Sequence, residues 1–291
     1  MKPPAFDYHR AENLEHACEL LAASGNEAKI LAGGQSLIPM MNFRLARPRV
    51  LIDVGNIRGH NQVTDEVRGI RIRATTVQRF VESSTAVQSR LPLLHNAIQH
   101  IAHVQIRNKG TIGGSIVNAD PASELPAMCL ALDAELEIRS KAGARTMPAA
   151  QFFVTYMTTS LAPDEVLSSI FFPVPAKRSG WGFHEVARRS GDYALAGSSA
   201  VVTLDAADRC THARIALFGV AATPVRATEA EVLLLGNVHS EALVKAAAQK
   251  VQRVLDPESD VHVRADYRRS VAEVLTVRAL DDAYRRAIGA R

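Results

Sequence analysis

The stretch Lys29-Ile30-Leu31-Ala32-Gly33-Gly34-Gln35-Ser36-Leu37-Ile38-Pro39 decides how this chain is read. A short buried strand, Lys29–Ala32, runs straight into two glycines, and a helix can follow from Leu37 with Pro39 tolerated in its first turn. Adjacent glycines let bare backbone approach a ligand, and successive N–H groups in such a turn form an anion-binding nest. A second glycine-rich turn, Thr111-Ile112-Gly113-Gly114-Ser115, comes about 80 positions later. The hydroxyls of Ser36, Thr111 and Ser115 add donors, so the pair could clasp a pyrophosphate from two sides. Each Gly-Gly taken alone also reads as a plain turn, because glycine is the commonest turn residue, and both readings stay open at this point.

Outward from these turns, the N-terminal half alternates helices and strands. Ala11–Ala23 carries an apolar stripe at Leu14, Ala17, Cys18, Leu20 and Leu21 and predicts a helix ending near Gly25. Strands are expected at Val50–Val54 and Gly69–Ala74, and helices at Thr76–Ser84, Leu93–Ala102 and Glu124–Leu132. Further strands are expected at Ala134–Arg139, Val166–Pro173, Gly182–Ala187, Ala200–Asp205 and His212–Ala221. Phe172–Gly180, with two prolines and two basic residues, is the best linker candidate. Helices at Arg226–Leu235, Ser240–Leu255 and Ser270–Ile288 close the chain. The reading is a mixed α+β chain with domains at 1–176 and 177–291.

Composition narrows the function. The 291 residues are 47% apolar and 22% charged, an ordinary globular balance. A net charge of +4 is too small over this length to argue for nucleic acid. Cys18, Cys129 and Cys210 lie too far apart for a four-cysteine metal site and are too few for a disulfide scaffold. No metal site is expected on this chain. His100 and His103 are three apart, a ligand spacing on a helix, but no third ligand accompanies them. No signal segment or membrane span is read from the sequence, so the cytoplasm is the expected location.

Rival nucleotide motifs are absent: there is no G-x-G-x-x-G, no G-x-x-x-x-G-K-[ST], and no closing glycine after Ser36 for a G-x-S-x-G elbow. Taken together, Lys29–Pro39, Ile106-Arg107-Asn108-Lys109-Gly110-Thr111-Ile112-Gly113-Gly114-Ser115 and Asn118-Ala119-Asp120-Pro121-Ala122-Ser123-Glu124-Leu125-Pro126 resemble the flavoprotein (medium) subunit of the molybdenum hydroxylases. That family includes carbon monoxide dehydrogenase and xanthine dehydrogenase. Gly191-Asp192-Tyr193-Ala194-Leu195-Ala196-Gly197, Ala222–Ala227 and Tyr267-Arg268-Arg269 resemble its C-terminal domain, so the likeness covers the whole chain.

The resemblance implies a PCMH-type FAD-binding domain of two α/β subdomains. A smaller α+β domain, an antiparallel sheet with helices, follows it. It implies that Lys29, Leu31, Ala32, Gly33, Gly34, Gln35, Ser36 and Leu37 wrap the pyrophosphate and ribityl of FAD. Thr111, Gly113, Gly114 and Ser115 would hold the other side, with Ala102 and His103 near the flavin. An acidic cofactor contact falls to Asp120 or Glu124, with Glu124 favoured, and an apolar one to Leu161. Glu124 reads alternatively as a helix N-terminal charge and Leu161 as a core leucine. Tyr193 would lie against one flavin face, with no acid–base catalytic group needed.

The implied activity is that of an oxidoreductase subunit. Electrons would come from a small iron–sulfur (2Fe-2S) subunit. That subunit would be served by a large subunit carrying the molybdenum cofactor, in a dimer of heterotrimers. They would leave to NAD, quinone or oxygen. The rivals are a flavin-free scaffold of such a complex and a stand-alone flavin oxidoreductase.

Overall fold

The computed structural model describes residues 2–57 and 59–289. The first layer comprises β1 (Asp7–Arg10), α1 (Leu14–Ser24), β2 (Ala28–Leu31), α2 (Leu37–Asn42) and β3 (Val50–Asp53). Its three strands are parallel in the order β1-β3-β2, with Leu31 opposite Asp53. Asn13 starts α1 by accepting from the His16 N–H at 2.7 Å, and the helix buries Ala17, Cys18 and Leu21 against Ile52 and Val54. In a parallel sheet all strands end at one edge, so the glycine turn after β2 is delivered to a single rim.

The second layer starts with β4 (Val63–Glu66) and β5 (Gly69–Arg73). A run of short helices follows: α3 (Gln78–Ser83), α4 (Thr85–Arg90), α5 (Pro92–His100), α6 (Val104–Arg107), α7 (Ile112–Asn118) and α8 (Glu124–Ala131). The strands β6 (Glu135–Ser140), β7 (Gly143–Pro148), β8 (Phe153–Thr155), β9 (Thr158–Thr159) and β10 (Val166–Pro173) complete it. The antiparallel sheet has the order β4-β5-β10-β6-β7, while β8 and β9 form a separate hairpin. β10 lies at its centre and is buried along almost its full length, as its continuous apolar run requires. α8 is buried at every position because it lies between this layer and the next.

The third layer is the antiparallel sheet β11 (Ser179–Ala187), β12 (Ala194–Leu204), β13 (Cys210–Phe218) and β14 (Val225–Arg226), in that order. α9 (Thr228–Leu234), α10 (Glu241–Val251) and the long α11 (Ala265–Gly289) pack on it. α11 approaches β11 backbone to backbone: a Cβ on Gly182 would lie 2.7 Å from the Ala279 Cα. The architecture is the α+β one expected, and Cys18, Cys129 and Cys210 are all buried free thiols.

Four differences from the sequence reading have physical reasons. The second glycine motif is not a turn: Ile112–Asn118 is helical, and Thr111 caps it through Oγ1, which accepts from the Gly114 N–H at 3.0 Å. The helix expected over Leu93–Ala102 stops at His100, and Ala102 takes a left-handed φ of 43°. β7 and the hairpin β8–β9 went unread because most of their residues are exposed and show no apolar alternation. The connection between the last two layers is only residues 174–178, since β10 runs on to Pro173 and β11 begins at Ser179. Among the described residues no helix is long and apolar enough to cross a membrane.

Candidate functional site

The first glycine turn supplies unspent donors. Among the described residues the N–H groups of Gly33, Gly34, Gln35, Ser36 and Leu37 reach no acceptor in the chain. Gly34 has φ 70°, the left-handed geometry that turns consecutive N–H groups to one side. Leu31 and Ile38 back it, each 3.2 Å from where a Gly34 Cβ would stand. Gln35 folds its amide onto the Gly33 carbonyl at 2.9 Å, and Ser36 does not spend its hydroxyl capping α2.

The second motif forms a wall beside the first rather than a second nest. Its N–H groups are already paired: Ile112 with Thr76 O and Gly113 with Ala74 O at 2.9 Å, Gly114 with Thr111 Oγ1, and Ser115 with Thr111 O at 3.2 Å. The glycines serve close packing. A Cβ on Gly113 would lie 2.7 Å from the Ala74 carbonyl oxygen. A Cβ on Gly33 would collide with the Lys109 carbonyl oxygen and stand 2.7 Å from the Gly110 Cα. Ala32 lies 3.9 Å from where a Gly114 Cβ would be, so the two motifs meet directly. What this wall still offers is hydroxyls, at Ser115 and at Thr111, whose oxygen accepts while its proton stays free.

A third side comes from the C-terminal sheet. The β11–β12 connection carries Gly191 (φ 86°), whose Cβ would lie 3.0 Å from His103 Cε1 and 3.1 Å from the Ala102 carbonyl oxygen. Tyr193, two residues on, is 64% exposed. Its phenol is raised by partial burial and then by the nearby acids Asp120 and Glu124 and by Tyr156. Asp120 lies in the α7–α8 connection and Glu124 opens α8, and Gly219 donates to the Pro121 carbonyl at 2.7 Å, pinning that connection to the C-terminal sheet.

Glu124 is 6% exposed, and its carboxyl is pushed up to about 8, by burial first and then by Glu185 and Asp120. Asp120 is raised by burial as well. Glu185, on β11, pairs one oxygen with His100 Nδ1 at 3.3 Å and leaves the other buried without a partner among the described residues. Lys29 is exposed on β2, and Leu161 packs half-buried against the main core. Sequence reasoning missed Tyr156 and Glu185, which reach the site across long chain separations and carry no local pattern.

A parallel strand ending in a bare-donor glycine turn, walled by a second glycine motif and faced by an aromatic loop, forms a cradle of the kind that holds a nucleotide's phosphates. Its free N–H groups, hydroxyls and missing Cβ atoms suit a pyrophosphate. Residues 4–175 match the family model "FAD binding domain in molybdopterin dehydrogenase", and residues 181–283 match "CO dehydrogenase flavoprotein C-terminal domain". The chain is 42% identical to the 6-hydroxypseudooxynicotine dehydrogenase complex subunit alpha of Paenarthrobacter nicotinovorans, covering 99% of this chain and 97% of that one. It is 40% identical to the carbon monoxide dehydrogenase medium chain of Hydrogenophaga pseudoflava, covering 98% and 99%. The solved carbon monoxide dehydrogenase of Hydrogenophaga pseudoflava superposes with a TM-score of 0.95 at 40% identity, over 98% of this chain and 99% of that one. Quinoline 2-oxidoreductase of Pseudomonas putida 86 superposes at 0.93 with 35% identity, over 99% and 100%. The chain belongs to the family of FAD-binding medium subunits of the molybdenum hydroxylases, which are oxidoreductases.

Proposed function

We propose that this chain holds FAD non-covalently and relays electrons from a 2Fe-2S subunit to an acceptor, in a complex whose large subunit carries the molybdenum cofactor. The observation that carries this is the run of unpaired N–H groups from Gly33 to Leu37, set against Lys109-Gly110. Those donors suit the pyrophosphate, with the Ser36, Thr111 and Ser115 hydroxyls at its flanks. Flavin, when bound, accepts electrons singly or in pairs and so matches a one-electron cluster to a two-electron acceptor. Ala102, His103 and Tyr193 shield the flavin end from water, and Glu124 offers a buried carboxyl that keeps its proton at neutral pH.

Two relatives are named as medium chain or complex subunit, which supports partner chains and a heteromeric assembly. We take the acceptor to be NAD, quinone or oxygen, and the chain to divide near residue 176 into a cradle and a smaller domain. Three buried free thiols agree with a reducing, cytoplasmic setting. The bare donors weigh against a flavin-free scaffold, which has no need of them. The test is co-expression with the partner subunits and an absorption spectrum of the purified complex. Flavin bands are expected, and their absence contradicts the reading.

A further inference from the structure

Beneath the cradle lies a buried ion pair that the proposed chemistry does not use. Arg107 on α6 and Glu82 on α3 have side chains only 11% and 9% exposed. Arg107 Nε donates to Glu82 Oε2 at 3.0 Å and Nη2 donates to Oε1 at 3.4 Å, a forked grip that lysine cannot reproduce. Its remaining nitrogen, Nη1, donates to the Ile101 carbonyl at 2.9 Å and the Ala102 carbonyl at 3.3 Å. Every nitrogen of the guanidinium is therefore engaged within the chain, and Arg107 is poorly placed to serve as a phosphate ligand.

Its grip falls on an unusual piece of backbone. Ala102 has φ 43°, a conformation that disfavours any residue with a Cβ. Such a residue persists only when its surroundings hold it, and here the holder is Arg107. The held carbonyl is the surface on which Gly191 lands, itself at φ 86° with a Cβ position 3.1 Å from the Ala102 oxygen. α3 also reaches the glycine wall, since the Gln78 N–H donates to the Gly110 carbonyl at 2.8 Å. One short helix thus braces the second glycine motif at its start and, through Glu82, the Ala102 turn at its end.

We propose that Arg107 and Glu82 are positioning residues for the flavin site: they lock the Ile101–His103 turn so that the Gly191–Tyr193 loop docks at a fixed distance from the glycine wall. This rests on the reading of the site given above. The pair touches no cofactor; it sets where the aromatic loop stands.

The test uses the complex co-purified with its partner subunits and compares wild type, Arg107→Gln, Ala102→Gly and the double variant. Hydrogen exchange followed by mass spectrometry reads residues 101–103 and 189–193, and released flavin is counted per chain. Arg107→Gln is expected to raise exchange about tenfold in both segments and to lower flavin content several-fold. Adding Ala102→Gly is expected to restore at least half of that flavin, because glycine accepts the left-handed turn without being held. A role in core stability alone would not be rescued by a glycine at position 102. Unchanged exchange at 189–193, or a double variant no better than Arg107→Gln, overturns the proposal. Should Arg107→Gln fail to fold, Glu82→Gln leaves the arginine in place but loosened, and exchange at 189–193 must still rise. A wild-type complex devoid of flavin would instead overturn the reading of the site, and the exchange arm would decide the clamp by itself.

Discussion

Gly33 and Gly110 pack so closely that a Cβ on Gly33 would stand 2.7 Å from the Gly110 Cα and collide with the Lys109 carbonyl oxygen. The two glycine motifs, far apart in the chain, are joined at this point. Gly33→Ala must therefore push the motifs apart or distort the donor run. The expected result is a loss of about 1–3 kcal/mol in stability, as for other overpacked sites, with flavin content falling at least tenfold. Thermal melting and the flavin-to-protein absorbance ratio check both.

Glu124 gives a pH signature. Its buried carboxyl is raised to about 8, so between the ordinary carboxylate range and that value the folded chain keeps a proton that the unfolded chain releases. The stability this provides is complete at acid pH and is lost as pH rises through about 8. Glu124→Gln, which cannot ionise, should flatten the fall in melting temperature between about pH 4.5 and 8. A melting curve that stays as steep in the variant contradicts this assignment.

Asp133 ties the second layer to the third. It accepts from Arg214 Nε at 2.7 Å and from Arg226 Nη1 at 2.8 Å, while Arg226 also grips Glu231 at 2.6 Å. Asp133 has φ 48°, which asparagine also tolerates, so Asp133→Asn isolates the charge. Its side chain is 39% exposed, so solvent screens part of the interaction, and the expected cost is about 1 kcal/mol. The cost should shrink in high salt, as denaturant melts at two ionic strengths would show.

Gly182 sets the seat of α11. A side chain there would enter the Ala279 backbone, with 2.7 Å to its Cα, and neighbouring Gly180 would lie 3.0 Å from the Ala283 carbonyl carbon. Gly182→Val should lift the helix from β11, cost roughly 3 kcal/mol or more, and expose Ala279 and Ala283. Hydrogen exchange along α11 would register the change.

The legible parts of this molecule were those whose cause is local. Leu31 running into Gly33-Gly34 gave both a strand end and a nest, and the apolar runs at Val50–Val54 and Val166–Pro173 gave two central strands. Gly113-Gly114 misled because a glycine pair signals a turn and a close approach alike. Only the Thr111 cap and the contact with Ala74 decide for a helix packed tightly. Glu82 and Arg107, 25 positions apart, carry no pattern that singles them out before α3 and α6 are seen side by side. The same holds for Glu185 facing Glu124 from another sheet.

The central claim is that this chain holds FAD by contacts alone. The most direct measurement is acid precipitation of the purified complex followed by quantitation of flavin in supernatant and pellet. The account predicts FAD in the supernatant, matching the number of copies of this chain. Flavin retained in the pellet, or a complex with no flavin at all, would contradict it.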